Sequence, residues 1–292
     1  MIISKIIGGM GNQMFQYAAG RALSLEFGQP FRLDVSGFAG YGLHHGFELH
    51  RVFNCQSVIA DESEVRSILG WQFSSGIRRF VARRSLAIFR GNGFVVEPHY
   101  HYWPQIKNVS QNCYLDGYWQ SEKYFQDALS VIRADFTFKV PLSNRNSDIA
   151  EHIGQRNSVS LHIRRGDYVT DSNTNATHGL CSLDYYRKAV QYVADRIRQP
   201  YFFVFSDDII WVKDNLKIDL PCQYIDHNHG TESYNDMHLM SLCRNHIIAN
   251  SSFSWWGAWL NPSPEKIVVA PEKWFANKND VKDLFPQGWV TL

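Results

Sequence analysis

The chain has 292 residues, of which 45% are hydrophobic and 20% are charged. This composition is that of a folded globular protein, and it excludes disorder, collagen-like repeats and a coiled coil. The net charge is +1, so binding to nucleic acid would require a local basic patch. The 5 cysteines form no C-x-x-C pair, which argues against a disulfide framework and favours a reducing, cytoplasmic location.

The N-terminal segment predicts a strand, a turn, a helix and a second strand. Residues 2–7 are a β-branched run, and residues 8–12 are a glycine-rich turn. Apolar residues then recur with helical spacing over residues 14–27, and Gly28 is a typical helix-ending residue. Residues 31–34 resume as a strand. This βαβ order predicts a parallel sheet.

The middle of the chain, from residue 41 to about residue 155, is less regular and contains one strongly basic segment. Its arginines are Arg78, Arg79, Arg83, Arg84 and Arg90. Its part from Ile77 to Arg84 is either a solvated helix face or a helix on a membrane surface, and the second interpretation predicts peripheral membrane association through Arg78, Arg79, Arg83 and Arg84. A polar stretch over residues 144–157 suggests a boundary between domains 1–150 and 151–292, with a C-terminal tail that could pack back on the first domain.

After residue 157, apolar strands alternate cleanly with helices. Strands are predicted at residues 158–163, 201–205, 223–225, 247–249 and 267–269. Helices are predicted at residues 183–199, capped by Ser182, and at residues 234–243. Near-continuous apolar strands between helices predict an α/β fold with a doubly wound parallel sheet.

Polar residues collect where these strands end, which is where ligands bind in open parallel sheets. They include His162 to Asp167, Ser206 to Asp208 and Asn250 to Ser254 in the second half, and Gly9 to Gln13 in the first. We therefore predict two Rossmann-like domains whose polar strand ends face each other across a cleft.

The sequence from His162 to Tyr168 has the pattern His-x-Arg-Arg-Gly-Asp-Tyr and directly follows a buried strand. Two adjacent arginines beside a glycine suit a diphosphate, because a guanidinium group donates two planar hydrogen bonds to phosphate. The alternative is a structural ion pair between Arg165 and Asp167 that braces the turn.

The glycine-rich turn near the N-terminus only partly matches a dinucleotide-binding fingerprint. Gly9 and Gly11 occupy the first two glycine positions, but Met14 replaces the third. The turn could still offer backbone N–H groups and the Asn12 amide to an anion or a sugar.

Two later segments are candidates for nucleotide binding. Asn250, Ser251, Ser252 and Phe253 join a strand to a helix, where free N–H groups and hydroxyls bind phosphate, although a serine there can also be only a helix cap. Asp236 fits a capping pattern that begins at Ser233. Alternatively, its carboxylate accepts hydrogen bonds from the N1–H and the exocyclic amine of a guanine.

Metal binding has weak support in the sequence. The pairs His227–His229 and His99–His101 lack further ligands at a suitable spacing. Asp207 and Asp208 could hold Mg²⁺ beside a nucleotide sugar, or they could form a strand-end turn.

Taken together, the motifs resemble the α1,2-fucosyltransferases of glycosyltransferase family 11, in their bacterial form. The matching pieces are GGMGNQMFQYAAGRAL, HIRRGDY, DMHLMS and NSSFSWWGAWL, which extend from Gly8 to Leu260. The resemblance implies a GT-B fold, GDP-fucose as donor substrate, inversion at the anomeric carbon, and no metal or other cofactor.

The resemblance also implies roles for individual residues. In the wider fucosyltransferase superfamily the matching positions contact GDP, and here they are His162, Arg164, Asp236 and Ser252. Arg165 matches the second arginine of the motif, whereas Tyr168 replaces a lysine found in the α1,6 enzymes. A lysine-assisted base mechanism therefore does not carry over.

We expect the chain to transfer L-fucose from GDP-β-L-fucose to the 2-hydroxyl of a terminal β-galactoside. Arg164 and Arg165 would stabilise the leaving diphosphate, and Asp167 would be the first candidate for a general base. The predicted donor site also contains His162, Asp236, Asn250, Ser251, Ser252 and Phe253, and the predicted acceptor or fucose side contains Gly11, Asn12 and Gln13. The alternatives are an NAD(P)-dependent oxidoreductase that uses the Gly9 turn and a glycan-binding protein without activity.

Overall fold

The computed structural model describes residues 1–40, 45–166, 179–276 and 280–292. By its internal contacts the chain divides into two compact units. Unit 1 contains Met1–Lys139 and Asp280–Pro286, and unit 2 contains Val140–Asn279 and Gln287–Leu292. Among the described residues, no helix has both the length and the apolar composition needed to cross a membrane.

Unit 1 is built on a parallel sheet of four strands in the order β2-β1-β4-β3. Its strands are β1 (Ile2–Lys5), β2 (Phe31–Asp34), β3 (Phe94–Val96) and β4 (Cys113–Asp116). Its helices are α1 (Met10–Phe27), α2 (Leu49–Val52), α3 (Glu62–Leu69), α4 (Ser75–Val81) and α5 (Leu129–Asp135). Short 3₁₀ turns lie at Ser36–Phe38, Gly70–Phe73, Arg84–Phe89, Pro104–Asn108, Glu122–Tyr124 and Gln126–Ala128.

The C-terminal segment Asp280–Pro286 is held within unit 1 by the side chain and backbone of Asp283. Ser121 donates its hydroxyl to the Asp283 carbonyl at 2.6 Å, and Lys123 forms an ion pair with the carboxylate at 2.5 Å. The backbone N–H of Tyr102 donates to the same carboxylate at 3.1 Å. The segment therefore contacts residues far from it in the sequence.

Helix α1 begins at Met10, one turn earlier than the apolar spacing predicts. Gly8 alone makes the turn, because its φ of 86° lies in the left-handed region that favours glycine. Gly11, Asn12 and Gln13 therefore belong to the first turn of a helix, and the backbone N–H groups of Asn12 and Gln13 both donate to Gly9.

Unit 2 has a parallel sheet of six strands: β5 (Asn157–Ile163), β6 (Pro200–Ser206), β7 (Cys222–Ile225), β8 (Asn245–Ile247), β9 (Val268–Ala270) and β10 (Val290–Thr291). Its described helices are α6 (Arg145–Gly154), α7 (Leu183–Ala194), α8 (Ile209–Asn215), α9 (Tyr234–Leu242) and α10 (Ser252–Leu260), with a 3₁₀ turn at Gly230–Glu232. The predicted doubly wound α/β class is confirmed.

The strand order β10-β9-β8-β5-β6-β7 defines where a ligand can bind. The chain starts at β5, proceeds outward to β7, and then returns to the other side of β5 with β8. The order therefore reverses between β5 and β8, and in open α/β sheets the crevice at the carboxyl ends of such strands is the usual ligand site.

Helix α7 ends at Ala194, whereas its apolar spacing continues to residue 199. Pro200 follows, and the residue before a proline is disfavoured in helical conformation. Gln199 has a left-handed φ of 52°, so the helix does not extend to residue 199 and the chain enters β6 from a non-helical conformation. The predicted start of this helix is confirmed, because the Ser182 hydroxyl accepts a hydrogen bond from the N–H of Tyr185.

Gly20→Ala should destabilise unit 1, because α1 packs directly on the sheet at this glycine. An added Cβ would lie 2.6 Å from the Phe31 ring and 2.9 Å from the Ser4 Cβ. Such overpacking costs about 1–3 kcal/mol of unfolding free energy, which chemical denaturation measures. Gly76→Ala is the control, since its Cβ meets nothing closer than 3.9 Å. Equal stability of the two variants would contradict this packing.

Candidate functional site

The candidate site lies in unit 2, at the carboxyl end of β5. This strand lies between β6 and β8, with Asn157 opposite Pro200 and Ile163 opposite Ser206 on one side, and Leu161 opposite Ile247 on the other. Its carboxyl end, followed by Arg164 and Arg165, is therefore at the point where the strand order reverses.

Both arginines are held by the two aspartates that follow β6. An Arg164 guanidinium nitrogen lies 2.9 Å from the Asp207 carboxylate, and Arg165 Nε lies 3.3 Å from the Asp208 carboxylate. Asp207 also accepts the backbone N–H of Arg165 at 2.8 Å. These pairs continue the register of β5 with β6, so strand pairing itself determines which aspartate meets which arginine.

Arg165 has a second support, which is the indole of Trp211 on α8. The guanidinium carbon lies 3.5 Å from the ring centroid, a cation–π contact that fixes the plane of the group. Asp208, its ionic partner, also caps α8 by accepting the N–H of Trp211 at 3.2 Å. The sequence analysis left open a structural ion pair between Arg165 and Asp167. The structure shows Asp208 as an ionic partner of Arg165.

Asp207 and Asp208 are therefore occupied as partners of arginines. Within the described ranges, no three His, Cys, Asp or Glu side chains are grouped as metal ligands would be. In the pair His99–His101, the rings stack with centroids 3.5 Å apart. In the pair His227–His229, His227 Nε2 lies 2.8 Å from the amide oxygen of Asn146.

His162 points its ring toward the start of α10. Its ring centroid lies 5.8 Å from that of Phe253, and the residue is only 5% exposed. Burial lowers the pKa of His162 to about 4, so the imidazole is neutral near pH 7. Its Nδ1 is buried and has no hydrogen-bond partner among the described residues. Buried polar atoms normally have a partner, so this nitrogen is a candidate for contact with a ligand.

The segment after β8 provides the other side of the crevice. Helix α10 begins at Ser252, and the side chain of Ser251, the residue before it, makes no capping hydrogen bond. Ser254 instead donates its hydroxyl to the carbonyl groups of Ala249 and Ser251. The Ser254 hydroxyl therefore stabilises the start of the helix. The side chain of Ser251 does not act as a helix cap.

Asn250 connects three parts of unit 2. Its amide nitrogen donates to the carbonyl oxygens of Gly179 at 3.1 Å and Trp274 at 3.3 Å. Its amide oxygen accepts from the Cys181 thiol at 3.3 Å. These contacts make Asn250 a brace for the segment that carries Ser251, Ser252 and Phe253.

Asp236 lies in the first turn of α9 and belongs to a buried polar network. Asn228 donates its amide to the carboxylate at 2.7 Å, and Asn146 in turn donates to the Asn228 oxygen at 2.9 Å. Part of the residue is exposed, but the carboxyl group is surrounded by protein, and this burial raises its pKa to about 7. Ser233 forms no side-chain cap on α9, so the capping interpretation has no support.

In unit 1 the predicted acceptor residues differ in what their side chains do. Gln13 is fully buried, and its amide donates to the carbonyls of Gly8 and Gly46 and accepts the N–H of Glu48. Gln13 therefore holds the turn together. The Asn12 side chain lies nearer the surface, where its oxygen accepts the Gln120 amide at 2.8 Å. Gly11 is buried in the first turn of α1.

Glu97, at the end of β3, is absent from the sequence-based prediction. Its carboxylate accepts the backbone N–H groups of Tyr118 at 2.7 Å and Trp119 at 3.0 Å. These bonds hold Trp119 at a left-handed φ of 56°, which is uncommon outside glycine. Burial raises the pKa of Glu97 to about 7. The turn places Gln120 beside Asn12, at the carboxyl ends of β4 and β1.

Other supporting roles were also missed, and only some of them gave a sequence signal. Asp208 is a typical helix-capping residue before an apolar run, which could have predicted the start of α8. Trp211 beneath Arg165 and Asn228 beside Asp236 gave no such signal, because both act through tertiary contacts. The predicted base Asp167, like Tyr168, lies outside the described residues.

The family model described as Glycosyl transferase family 11 matches residues 99–292 of this chain. Over the whole chain, the sequence is 35% identical to an alpha-1,2-colitosyltransferase of Escherichia coli, covering 99% of that protein. It is 38% identical to the O-antigen biosynthesis glycosyltransferase WbnK of the same species, over 99% of both chains. A galactoside alpha-(1,2)-fucosyltransferase 1 of Lagothrix lagotricha is 24% identical over 50% of this chain and 42% of its own length.

Solved structures share the fold at low sequence identity. The fucosyltransferase NodZ from Bradyrhizobium superposes with a TM-score of 0.54 at 16% identity, over 89% of this chain and 92% of its own. FUT1 of Arabidopsis thaliana, solved with GDP, has a TM-score of 0.53 at 11% identity, over 94% of this chain and 72% of its own. The predicted GT-B-like class is confirmed.

Asp236→Asn should stabilise the protein increasingly as pH rises. An aspartate in the unfolded chain ionises near pH 4, but the folded one ionises only near 7, so the wild-type protein loses stability over this interval. The asparagine does not titrate, and its oxygen can still accept the Asn228 amide. We expect its advantage in unfolding free energy to grow by about 2–4 kcal/mol between about pH 4 and pH 7. Urea denaturation at a series of pH values measures it, and an advantage independent of pH would contradict the assignment.

Proposed function

The chain belongs to glycosyltransferase family 11, and we propose that it transfers L-fucose from GDP-β-L-fucose to the 2-hydroxyl of a terminal β-galactoside with inversion. Glycosyl transfer follows from the family. The observation that carries the donor assignment is the pair Arg164 and Arg165, held by Asp207 and Asp208 at the reversal of strand order.

Arg164 is suited to stabilise the departing diphosphate. As the bond to the sugar breaks, negative charge develops on the β-phosphate, and a guanidinium group held in advance needs no reorganisation to meet it. Arg165, stacked on Trp211, adds a second positive charge nearby. We propose that these two charges serve where other transferases use a metal ion, so that no cofactor is required.

Asp236 is suited to recognise guanine. Its ionised carboxylate can accept the two adjacent N–H donors on N1 and N2, whereas uracil offers one N–H between two carbonyl oxygens. Asn228 holds one carboxylate oxygen in place. The Nδ1 of His162, which has no partner in the described part of the chain, and the start of α10 at Ser252 complete the proposed GDP site.

A second donor is favoured by one comparison. The Escherichia coli relative with 35% identity is an alpha-1,2-colitosyltransferase, and colitose is the 3-deoxy derivative of L-fucose. The diphosphate and guanine contacts proposed here would serve either sugar equally. The choice between the two sugars then depends on contacts with a single hydroxyl.

A donor panel tests the proposed function. The protein is incubated with lactose as acceptor and with one donor at a time, namely GDP-fucose, GDP-colitose or a UDP-sugar. The linkage of each product is determined by NMR. We expect an α1,2-fucosylated product, with the same yield in excess EDTA. Transfer of colitose alone would overturn the donor assignment, and metal-dependent transfer would overturn the role of the two arginines. Glycan binding without transfer, or NAD(P)H binding in place of GDP binding, would overturn the proposal.

Arg164→Ala should lower the transfer rate by about 30- to 1000-fold, because one charge-assisted contact in the transition state is worth about 2–4 kcal/mol. Arg164→Lys should recover little, since an ammonium group cannot reproduce the planar pair of donors. Initial rates with purified variants measure both effects, and Arg187→Ala, which removes an exposed arginine of α7, is the control.

The variant that combines Arg164→Ala with Asp207→Asn separates two explanations of a loss. Arg164→Ala alone leaves Asp207 without its 2.9 Å ionic partner, and this could itself distort the strand end. If Arg164 acts on the donor, the double variant remains inactive. Recovery of near wild-type transfer in the double variant would show that Arg164 only neutralises Asp207.

We propose Glu97 as a second candidate for the general base, in addition to Asp167. It lies at the carboxyl end of the unit 1 sheet with Asn12 and Gln120, where the acceptor is expected to bind, and its pKa of about 7 suits proton transfer near neutral pH. The wild-type kcat should rise with pH up to about 7. Glu97→Gln should lose this dependence and about 10²–10⁴-fold in rate. A variant that folds normally and keeps the same pH profile would exclude Glu97.

A further inference from the structure

The segment between Glu64 and Glu97 is strongly basic, although the protein as a whole is nearly neutral. It contains no aspartate, glutamate or lysine, while the net charge of the whole chain is only +1. All positive charge in this stretch comes from its arginines, Arg66, Arg78, Arg79, Arg83, Arg84 and Arg90. The remainder of the chain is correspondingly acidic, so the charge is localised on part of unit 1.

The same segment exposes large apolar side chains to solvent. Ile88 is 85% exposed, although isoleucine is among the residue types that are most often buried. Four further large apolar residues of α4 and the adjoining 3₁₀ turns are exposed, namely Trp71, Ile77, Phe80 and Phe89. A concentration of exposed apolar side chains in one short segment marks an interaction surface.

The arginines of the segment divide into two groups. Arg78 faces inward, 3.6 Å from the Asp34 carboxylate and above the Tyr114 ring, and Arg90 donates to the carbonyl groups of Val81 and Ala82. The sequence-based expectation that Arg78 belongs to the membrane-facing set is therefore wrong. Arg66, Arg79, Arg83 and Arg84 are exposed, and of these Arg66 forms an ion pair with Glu62 at 2.8 Å.

The inward-facing residues make this surface a fixed part of the fold. Val81 and Leu69 are buried in the core of unit 1, and Gln72 accepts the N–H of Gly91 at 3.1 Å. Arg83 lies with its guanidinium carbon 5.6 Å from the Phe80 ring, so charged and apolar groups are side by side. The exposed side chains are thus presented by a braced scaffold.

We propose that the exposed residues of this segment form an arginine-rich face that binds the surface of an anionic lipid bilayer. This face consists of Trp71, Ile77, Arg79, Phe80, Arg83, Arg84, Ile88 and Phe89. Phenylalanine, isoleucine and tryptophan side chains enter the boundary between headgroups and acyl chains, while arginines bind anionic headgroups.

Charge and apolarity together favour a membrane over other occupants. A second copy of the chain would place arginines against arginines in a symmetric interface, which is repulsive. A nucleic acid would attract the arginines but would offer no apolar phase for Ile88 and Phe89. A bilayer with anionic lipids meets both requirements, and this inference does not depend on the identity of the donor sugar.

Vesicle sedimentation with the full chain tests the proposal. The protein should sediment with vesicles of phosphatidylglycerol in phosphatidylcholine but not with phosphatidylcholine alone, and added salt should weaken binding. Reversing Arg79, Arg83 and Arg84 to glutamate should lower the partition coefficient by at least about 100-fold, since each arginine near such a surface contributes about 1 kcal/mol. Replacing Phe80, Ile88 and Phe89 by serine should also lower it.

Reversing Arg187, Arg196 and Arg198 to glutamate is the matched control, because these exposed arginines of unit 2 give the same change in net charge. This control should bind vesicles like the wild-type protein, and all variants should retain transfer to a soluble acceptor. Failure of the wild-type chain to bind anionic vesicles at low salt would overturn the proposal. An equal loss in the control would also overturn it, as would concentration-dependent dimerisation that the face variants abolish.

Discussion

The parallel pairing of β5 with β6 is the constraint on which the proposed donor site depends. The two strands keep one register, and continued beyond their ends it places Arg164 against Asp207 and Arg165 against Asp208. The arginines are therefore ordered before any ligand arrives, which is the condition under which charged groups stabilise a developing charge most effectively. Because β8 lies on the other side of β5, the same strand end also adjoins the start of α10.

Burial then determines the charge state of the groups around that strand end. His162 and Asp236 are both desolvated, which lowers the pKa of the first to about 4 and raises that of the second to about 7. Near neutral pH the imidazole of His162 is uncharged and therefore does not repel the guanidinium groups of the two arginines. Ionising the Asp236 carboxyl group costs free energy because the group is buried, and the hydrogen bond from Asn228 offsets only part of that cost. A ligand that donates hydrogen bonds to Asp236 would offset more of it.

Much of unit 2 could be predicted from the sequence, because its strands are buried on both faces and read as continuous apolar runs such as Phe202 to Phe205. In unit 1, β3 and β4 were not predicted, since each has only three or four residues among irregular aromatic segments. The roles of Asp207, Trp211 and Asn228 depend on strand register and tertiary contact, which no local pattern reveals. Gln13 is the opposite case. The glycine-rich motif singled it out as a residue of the acceptor side, whereas in the structure its side chain forms the hydrogen bonds that hold the turn.

Calorimetric titration of GDP and IDP into the same protein tests the central claim, that unit 2 holds a guanine nucleotide through Asp236 at the reversal of strand order. The two ligands carry identical phosphates and differ only in the 2-amino group of the base. We predict that GDP binds about 10- to 100-fold more tightly than IDP, because one hydrogen bond to a buried charged group contributes that much to the affinity. Asp236→Ala should abolish the difference. Equal affinity of the wild-type protein for GDP and IDP would contradict the account.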